Sequence, residues 1–346
     1  MTRSLSKTAV LRPHSPQTPV ALTPPGVSAP RSDPPSGSPV VRLPQTAFWV
    51  AAAFAAFATT NPAAAQVSLP PMNLGDSAFQ DGIAGPSRMV QGSLSIQHAD
   101  RVRNAKGEVA ESPGSVRSMG VVAHAAWLTE HQVFGAWWGV EAILPVAAVD
   151  VSLPGRSDST LAIGDLVVSP VILQWPETKL FGRSYWQRLN FNVAIPTGDY
   201  DPTALSIGSN AWRFNPHYAF TWEANADWEL SGRLHYLWTG RNNRPPIATG
   251  AESTQPGGAV HVNGSVSRRW SDSLRLGLSA YYLRQLADDR IDNTRAPGGR
   301  ERVLGMGPAF SWNASQGTWH GAAYWETAVR DRPESVRASL RYVQTF

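Results

Sequence analysis

The sequence of 346 residues contains no cysteine, so it offers no disulfide framework and no thiolate metal site. That absence suits an oxidising compartment managed without disulfides, although cytosolic chains can share it. No apolar run after residue 65 reaches 18 residues, which excludes a helical membrane span in that part of the chain. Charge is scarce, at 16% of residues. The eight histidines form neither H-x-H nor H-E-x-x-H, so a metal site has no support. There is no phosphate loop and no G-x-G-x-x-G, and no cofactor is expected. An excess of basic charge is also missing where it would matter. Of the 30 basic and 26 acidic residues, five and one fall within residues 1–65, so the rest carries 25 of each. The isoelectric point near 9.6 therefore implies no basic stripe for nucleic acid.

What is present begins with a leader. Residues 1–46 are rich in Pro, Ser and Thr and cannot bury a core, so they are expected to be disordered. Residues 47–58 (AFWVAAAFAAFA) follow Arg42 and precede Ala63-Ala64-Ala65. A basic residue, a short apolar stretch and an A-x-A site describe a secretory signal peptide, placed at 47–65. A short anchor helix is the alternative. The stretch ahead of the signal is long, which implies either a later translation start or an unusually long leader. A mature chain is expected near Gln66, with 66–87 as a periplasmic or plug segment and 88–346 as the folded body.

That body alternates with a period of two. In the last eleven residues, VRASLRYVQTF, Val336, Ala338, Leu340, Tyr342 and Phe346 share one parity and Arg337 and Arg341 the other. Eleven similar segments precede it, at 88–97, 116–127, 134–149, 163–175, 187–195, 211–222, 228–238, 258–269, 274–285, 302–312 and 319–329. Their length matches tilted strands crossing a bilayer. Mostly short and long connections alternate, as in transmembrane barrels; 176–186 is longer than that pattern wants and 330–334 shorter. Trp127, Phe134, Trp175, Trp222, Trp228, Trp270, Trp312 and Trp319 cluster beside the short connections, as an interfacial girdle would. Trp212, Trp238, Tyr281 and Tyr282 are candidates for the opposite girdle. The fold expected is all-β, a closed antiparallel transmembrane barrel of twelve strands. Phe346 is the expected assembly signal, and the lipid bilayer and the barrel-assembly machinery are the expected partners.

Several short motifs recur on this frame: Gly164-Asp165-Leu166, Pro196-Thr197-Gly198-Asp199-Tyr200, and Ile207-Gly208-Ser209-Asn210-Ala211-Trp212 with Pro216 and Tyr218. With Asn242-Asn243 and Tyr281-Tyr282 to Gln285, they resemble the outer-membrane family named for the meta-pathway of phenol degradation. The resemblance covers about 164–346. The tract Arg241-Asn242-Asn243-Arg244-Pro245-Pro246 departs from it in its prolines. The resemblance implies a transporter of small, aromatic or hydrophobic compounds in the cell outer membrane. Read physically, the motifs are mostly turn and strand-end architecture.

The candidate lumen-lining residues are Glu141, Arg188, Arg213, His217, Glu229, Arg233, His235, His261, Arg275, Glu326, Arg337 and Arg341. In an open pore they set selectivity by charge. In a narrow barrel they pair across the lumen and fill it. Arg213, His217, Arg233 and His235 are expected to form one patch. The function read from these features is a passive outer-membrane channel and not an enzyme. Two rivals stay open: a structural or adhesion barrel with a closed lumen, and a lipid hydrolase on a barrel scaffold. The hydrolase reading is weak. The His-x-Ser-Asn-Gly motif of outer-membrane phospholipase has Ile207 in its histidine position and Ala211 in its glycine position.

Overall fold

A computed structural model describes residues 67–70, 72–110 and 114–346. The leader expected over 1–46 and the signal segment over 47–65 lie outside the described residues. The strands are β1 (Ser87–Arg103), β2 (Ser115–Val133), β3 (Ala136–Leu153), β4 (Arg156–Ile163), β5 (Leu166–Leu180), β6 (Arg183–Ile195), β7 (Arg213–Glu223), β8 (Trp228–Thr239), β9 (Thr254–Gln255), β10 (Ala259–Arg269), β11 (Leu274–Gln285), β12 (Asp289–Ile291), β13 (Thr294–Ala296), β14 (Arg302–Ala314), β15 (Gly317–Arg330) and β16 (Arg332–Thr345). Thirteen of them form one sheet, in which β2 also pairs with β3 and β1 with β16. Because β4 and β5 are successive halves of one wall strand on β3, the closed antiparallel barrel has twelve wall strands. The three short strands β9, β12 and β13 form a separate sheet over one end.

Closure removes every sheet edge from the hydrocarbon, which an open sheet could not do. The period-two pattern then sorts side chains. Val90, Leu94, Leu230, Leu234, Val262, Leu278 and Leu340 face outward and stay exposed, while Asn215, Thr221, Ser231, Asn263 and Ser267 face inward and are buried. This inversion of the usual apolar-inside rule marks lipid as the outer solvent. The outer membrane is the location that this surface fits.

The girdle residues lie at the short-turn end. The indole N–H of Trp175 donates to the Phe134 carbonyl (3.3 Å) and that of Trp222 to the Leu180 carbonyl (3.2 Å). Arg88 sits over the Trp127 ring at 5.5 Å. At the other end Trp212 and Trp238 are exposed on the outside, but Tyr281 is not part of that belt. It points inward and is 1% exposed, because it has the opposite parity to Tyr282.

Connections differ from expectation where backbone pairing outruns the apolar alternation. The expected long connection at 150–162 is a hairpin, since β3 and β4 pair down to Leu153 and Arg156. The expected long connection at 176–186 shrinks to Phe181-Gly182, because Leu180 pairs with Arg183. Phe134-Gly135 makes the same turn, with positive φ at both positions (53° and 74°), the geometry that keeps a two-residue hairpin in register with strand twist. Ladder bonds use the backbone, so strands extend past the point where side chains stop alternating.

Candidate functional site in the barrel lumen

The described residues 67–70 and 72–86 have no strand of their own, and they lie inside the barrel. Leu69 reaches Glu301 near the long-loop end, and Ser87 begins β1 at the end that holds Phe346, whose N–H donates to the Arg88 carbonyl (2.8 Å). By loop length, the first end faces outward and the second faces the periplasm. A buried segment without strand partners must satisfy its backbone through side chains. The wall supplies them. Asn263 Oδ1 accepts from the Gly75 N–H (2.9 Å), Tyr324 donates to the Gly75 carbonyl (3.0 Å), and Asn263 donates to the Asn73 carbonyl (2.7 Å). Thr221 Oγ1 accepts from the Gly82 N–H (2.8 Å) while Gln174 donates to the Gly82 carbonyl (3.0 Å). A Cβ on Gly82 would stand 2.4 Å from the Thr221 backbone nitrogen, so only glycine fits that approach.

Charge and packing add to these bonds. Asp81 receives Nε and Nη2 of Arg233, and Asp76 receives Nη2 of Arg341 (2.5 Å). Arg337 donates to the Leu74 carbonyl (2.9 Å) and lies 5.5 Å over the Tyr281 ring. In the outer half, Leu69, Met72 and Leu74 pack with Leu237, Leu283, Val303, Tyr281 and Tyr324.

Two chambers flank this segment. The outer one, about 210 Å³, is lined by Val67, Leu69, Leu205, Ile207, Ala211 and Pro246 together with polar groups from Ser68, Tyr200, Asp201, Ser206, Ser209, Thr239, Asn242, Thr249 and Thr254. The inner one, about 420 Å³, borders Asp76, Phe79 and Asp81 on one side and His124, Glu141, Ile143, Ile172, Arg188, His217, Arg233, His320 and Arg341 of the wall on the other. Both chambers are lined by apolar side chains interspersed with polar ones.

The sequence profile of one family matches residues 99–342, about seven-tenths of the chain. The chain belongs to the family described as "Putative MetA-pathway of phenol degradation". No curated protein matches it. Among solved structures it is similar to an outer-membrane channel from Pseudomonas putida F1, at TM-score 0.67 and 15% identity over 81% of this chain and 100% of that one. It is also similar to the translocator domain of the autotransporter NalP from Neisseria meningitidis, at TM-score 0.43 and 12% identity over 77% and 90%. A third similarity is to a deletion mutant of the TodX monoaromatic hydrocarbon channel, at TM-score 0.39 and 7% identity over 78% and 92%.

The motifs through which the chain resembles the phenol-degradation family meet around one carboxylate. Asp165, 1% exposed, accepts from the Gly198 N–H (2.9 Å), the Ser209 N–H (3.0 Å), Ser209 Oγ (2.6 Å) and Arg213 Nη2 (2.8 Å). Asp199 and Thr197 accept from the N–H groups of Ile163 and Leu166 (2.9 and 3.0 Å). These bonds hold the wall together where β4 passes into β5 and β6 has ended. Ser209 is thereby tied to an acid that already has an arginine, with no histidine among its described hydrogen-bond partners.

The other sequence candidates all project from the inner face, but they do not form one patch. Arg213 pairs across the ladder with Thr239, whereas Arg233 lies opposite Ala219, six residues along β8, so Arg213 belongs to the outer end. His217, His235 and His261 do meet, with ring centroids 4.5 and 4.1 Å apart. Glu229 takes the hydroxyls of Ser231 (2.5 Å) and Ser267 (2.6 Å), and Arg275 donates to Ser267 (3.2 Å). Glu326 accepts from Tyr281 (2.6 Å) and the Ser335 N–H (2.8 Å). Glu141 joins His124 (3.0 Å), Asn190 (3.1 Å) and Asn192 (2.7 Å). Asp76, Asp81, His124, His320 and Glu301 were not among the sequence candidates. Asp76 and Asp81 carried one signal, an acidic pair in the unpatterned stretch just before the first strand.

Glu301 ties the outer end of the segment. Its Oε1 accepts from the Leu69 N–H (2.7 Å) and its Oε2 faces Arg332 (3.3 Å). Burial pushes the Glu301 carboxyl up to about 7, helped by Asp289 and Asp331 and opposed by Arg332. Burial likewise raises Asp289 and Asp331, each to about 6. Groups whose folded pKa lies above the ordinary value favour the packed arrangement when protonated, so that stabilisation is lost as pH rises through about 7. A cysteine placed at Leu69 is expected to label faster at about pH 8 than at about pH 5.5, after correction for thiol ionisation. Equal corrected rates would show that these carboxyls do not hold the outer end.

Proposed function

We propose that the protein is a passive outer-membrane channel for small aromatic or hydrophobic compounds and has no catalytic role. The carrying observation is the pair of chambers on either side of residues 67–86, each with apolar side chains in its lining. They fit a route on which a small solute leaves the loops, enters the outer chamber and passes the segment to the inner one. Family membership and the channel from Pseudomonas putida F1 support the same reading. The inward arginines, acids and histidines set the field that a solute meets. Residues 66–87 act as a plug in this account, and residues 47–65 as a cleaved export signal. The mature N-terminus, read by mass spectrometry, checks the latter; retention of Phe48 to Phe57 would indicate an anchor instead.

The test is uptake of labelled phenol or toluene into proteoliposomes. Flux above that of protein-free vesicles, lost when residues 67–86 are cross-linked to the wall, is expected. The density of hydrogen bonds on the segment favours one rival, a barrel whose lumen stays closed and whose function lies in its loops. Flux no greater than in empty vesicles and no conductance in planar bilayers would select that rival.

A further inference from the structure

The inner chamber contains three guanidinium groups, and two of them are already matched. Arg233 holds Asp81 and Arg341 holds Asp76. Arg188 forms no ion pair with a described carboxylate; its Nε donates to the Asn190 amide oxygen (2.9 Å). The carboxylate of Glu141 is engaged by His124, Asn190 and Asn192. His217, on the same stretch of wall, is 4% exposed, and neither of its ring nitrogens has a hydrogen-bond partner. Both nitrogens are covered, so the chamber meets this side chain elsewhere than at its polar atoms.

The register places these groups. Arg188 and Arg233 both pair with Ala219, one from each side, and Asn190 pairs with His217 in the next inward row. Ala219, between the two arginines in the ladder, is fully buried. On the Arg233 side, a carboxylate from residue 81 is seated. The equivalent place beside Arg188 opens onto the chamber. Ile172, 2% exposed, pairs with Asn190, and Ile143 lines the same chamber, so an apolar wall adjoins the free guanidinium.

We propose that this chamber is a binding site for a small organic monocarboxylate. Its anionic head takes the free edge of Arg188, and its apolar body lies against Ile143 and the edge of Ile172. Asp81 on Arg233 is then the protein's own occupant of the twin position. The assignment names the solute class for the uptake reading above and rests on it. A planar guanidinium matches a carboxylate with two parallel hydrogen bonds, and an apolar flank selects an organic acid over an inorganic anion. The chamber's 420 Å³ is of ordinary size for such a ligand.

The probe is sodium benzoate, titrated calorimetrically into the full-length protein in detergent, with neutral benzamide as its isostere. Benzoate is expected to bind about tenfold or more tightly than benzamide, the difference that a charge-assisted hydrogen bond supplies. Arg188→Gln is expected to abolish that preference. Equal binding of benzoate and benzamide by the unaltered protein overturns the proposal without relying on any variant. Displacement of benzoate by an equal concentration of chloride overturns it too, since that marks an unselective anion site. Proteoliposome flux is read separately. Toluene flux without benzoate binding removes the site and keeps the channel. Benzoate binding in a barrel that passes no solute keeps the site and removes the uptake reading.

Discussion

Asp81→Ala is expected to unseat residues 67–86 and raise the single-channel conductance of the reconstituted barrel. Arg233 grips Asp81 with two nitrogens, and their side chains are only 13% and 5% exposed. Removing one partner of a buried pair typically costs about 3–5 kcal/mol, because the remaining charge is left unmatched. The segment has no ladder pairing to fall back on, so its hold depends on a handful of side-chain bonds and the Leu69, Met72 and Leu74 contacts. Adding Asp76→Ala releases Arg341 as well and should enlarge the effect. Faster labelling of a cysteine at Ala78, now buried, gives a second readout. Unchanged conductance and labelling would mean that the glycine and asparagine contacts hold the segment without its carboxylates.

Leu234→Arg is expected to impair assembly of the barrel. Leu234 lies midway along β8, is 53% exposed on the outer face, and pairs with Val262 and Tyr218. An arginine at the bilayer midplane of a barrel costs about 2–4 kcal/mol, falling towards the interface. Phe220→Arg should cost less, because Phe220 lies three residues from the periplasmic end of β7 and a long side chain can reach the headgroups from there. Reversible folding into vesicles in urea measures both. Equal, small effects would argue that this face of β7 and β8 does not contact lipid.

The strand parity of β7 and β8 was legible without coordinates, because each inward residue alternates with an apolar one and lipid enforces that alternation. So was the membrane end marked by Trp222, Trp228 and Trp270, since indoles favour the interface. The arginine partners were not legible. Glu229, an acid among the same lumen candidates, is engaged by Ser231 and Ser267, whereas Arg233 reaches Asp81, 152 residues away. Nor was Tyr281 distinguishable from Tyr282 as a belt residue before the register with Gly305 and Leu304 was known.

The sequence by itself determined a wall: twelve crossings, an apolar outside, a polar inside and aromatic ends. All of that follows from local periodicity, which a single strand records in its own residues. Only the tertiary structure decided what fills the wall. Residues 67–86 carry no period, and their partners are side chains on β5, β7, β8, β10, β15 and β16, brought together by closure. An irregular segment has no pattern of its own to read, because its backbone is satisfied by groups that are distant in sequence and adjacent only once the barrel has closed.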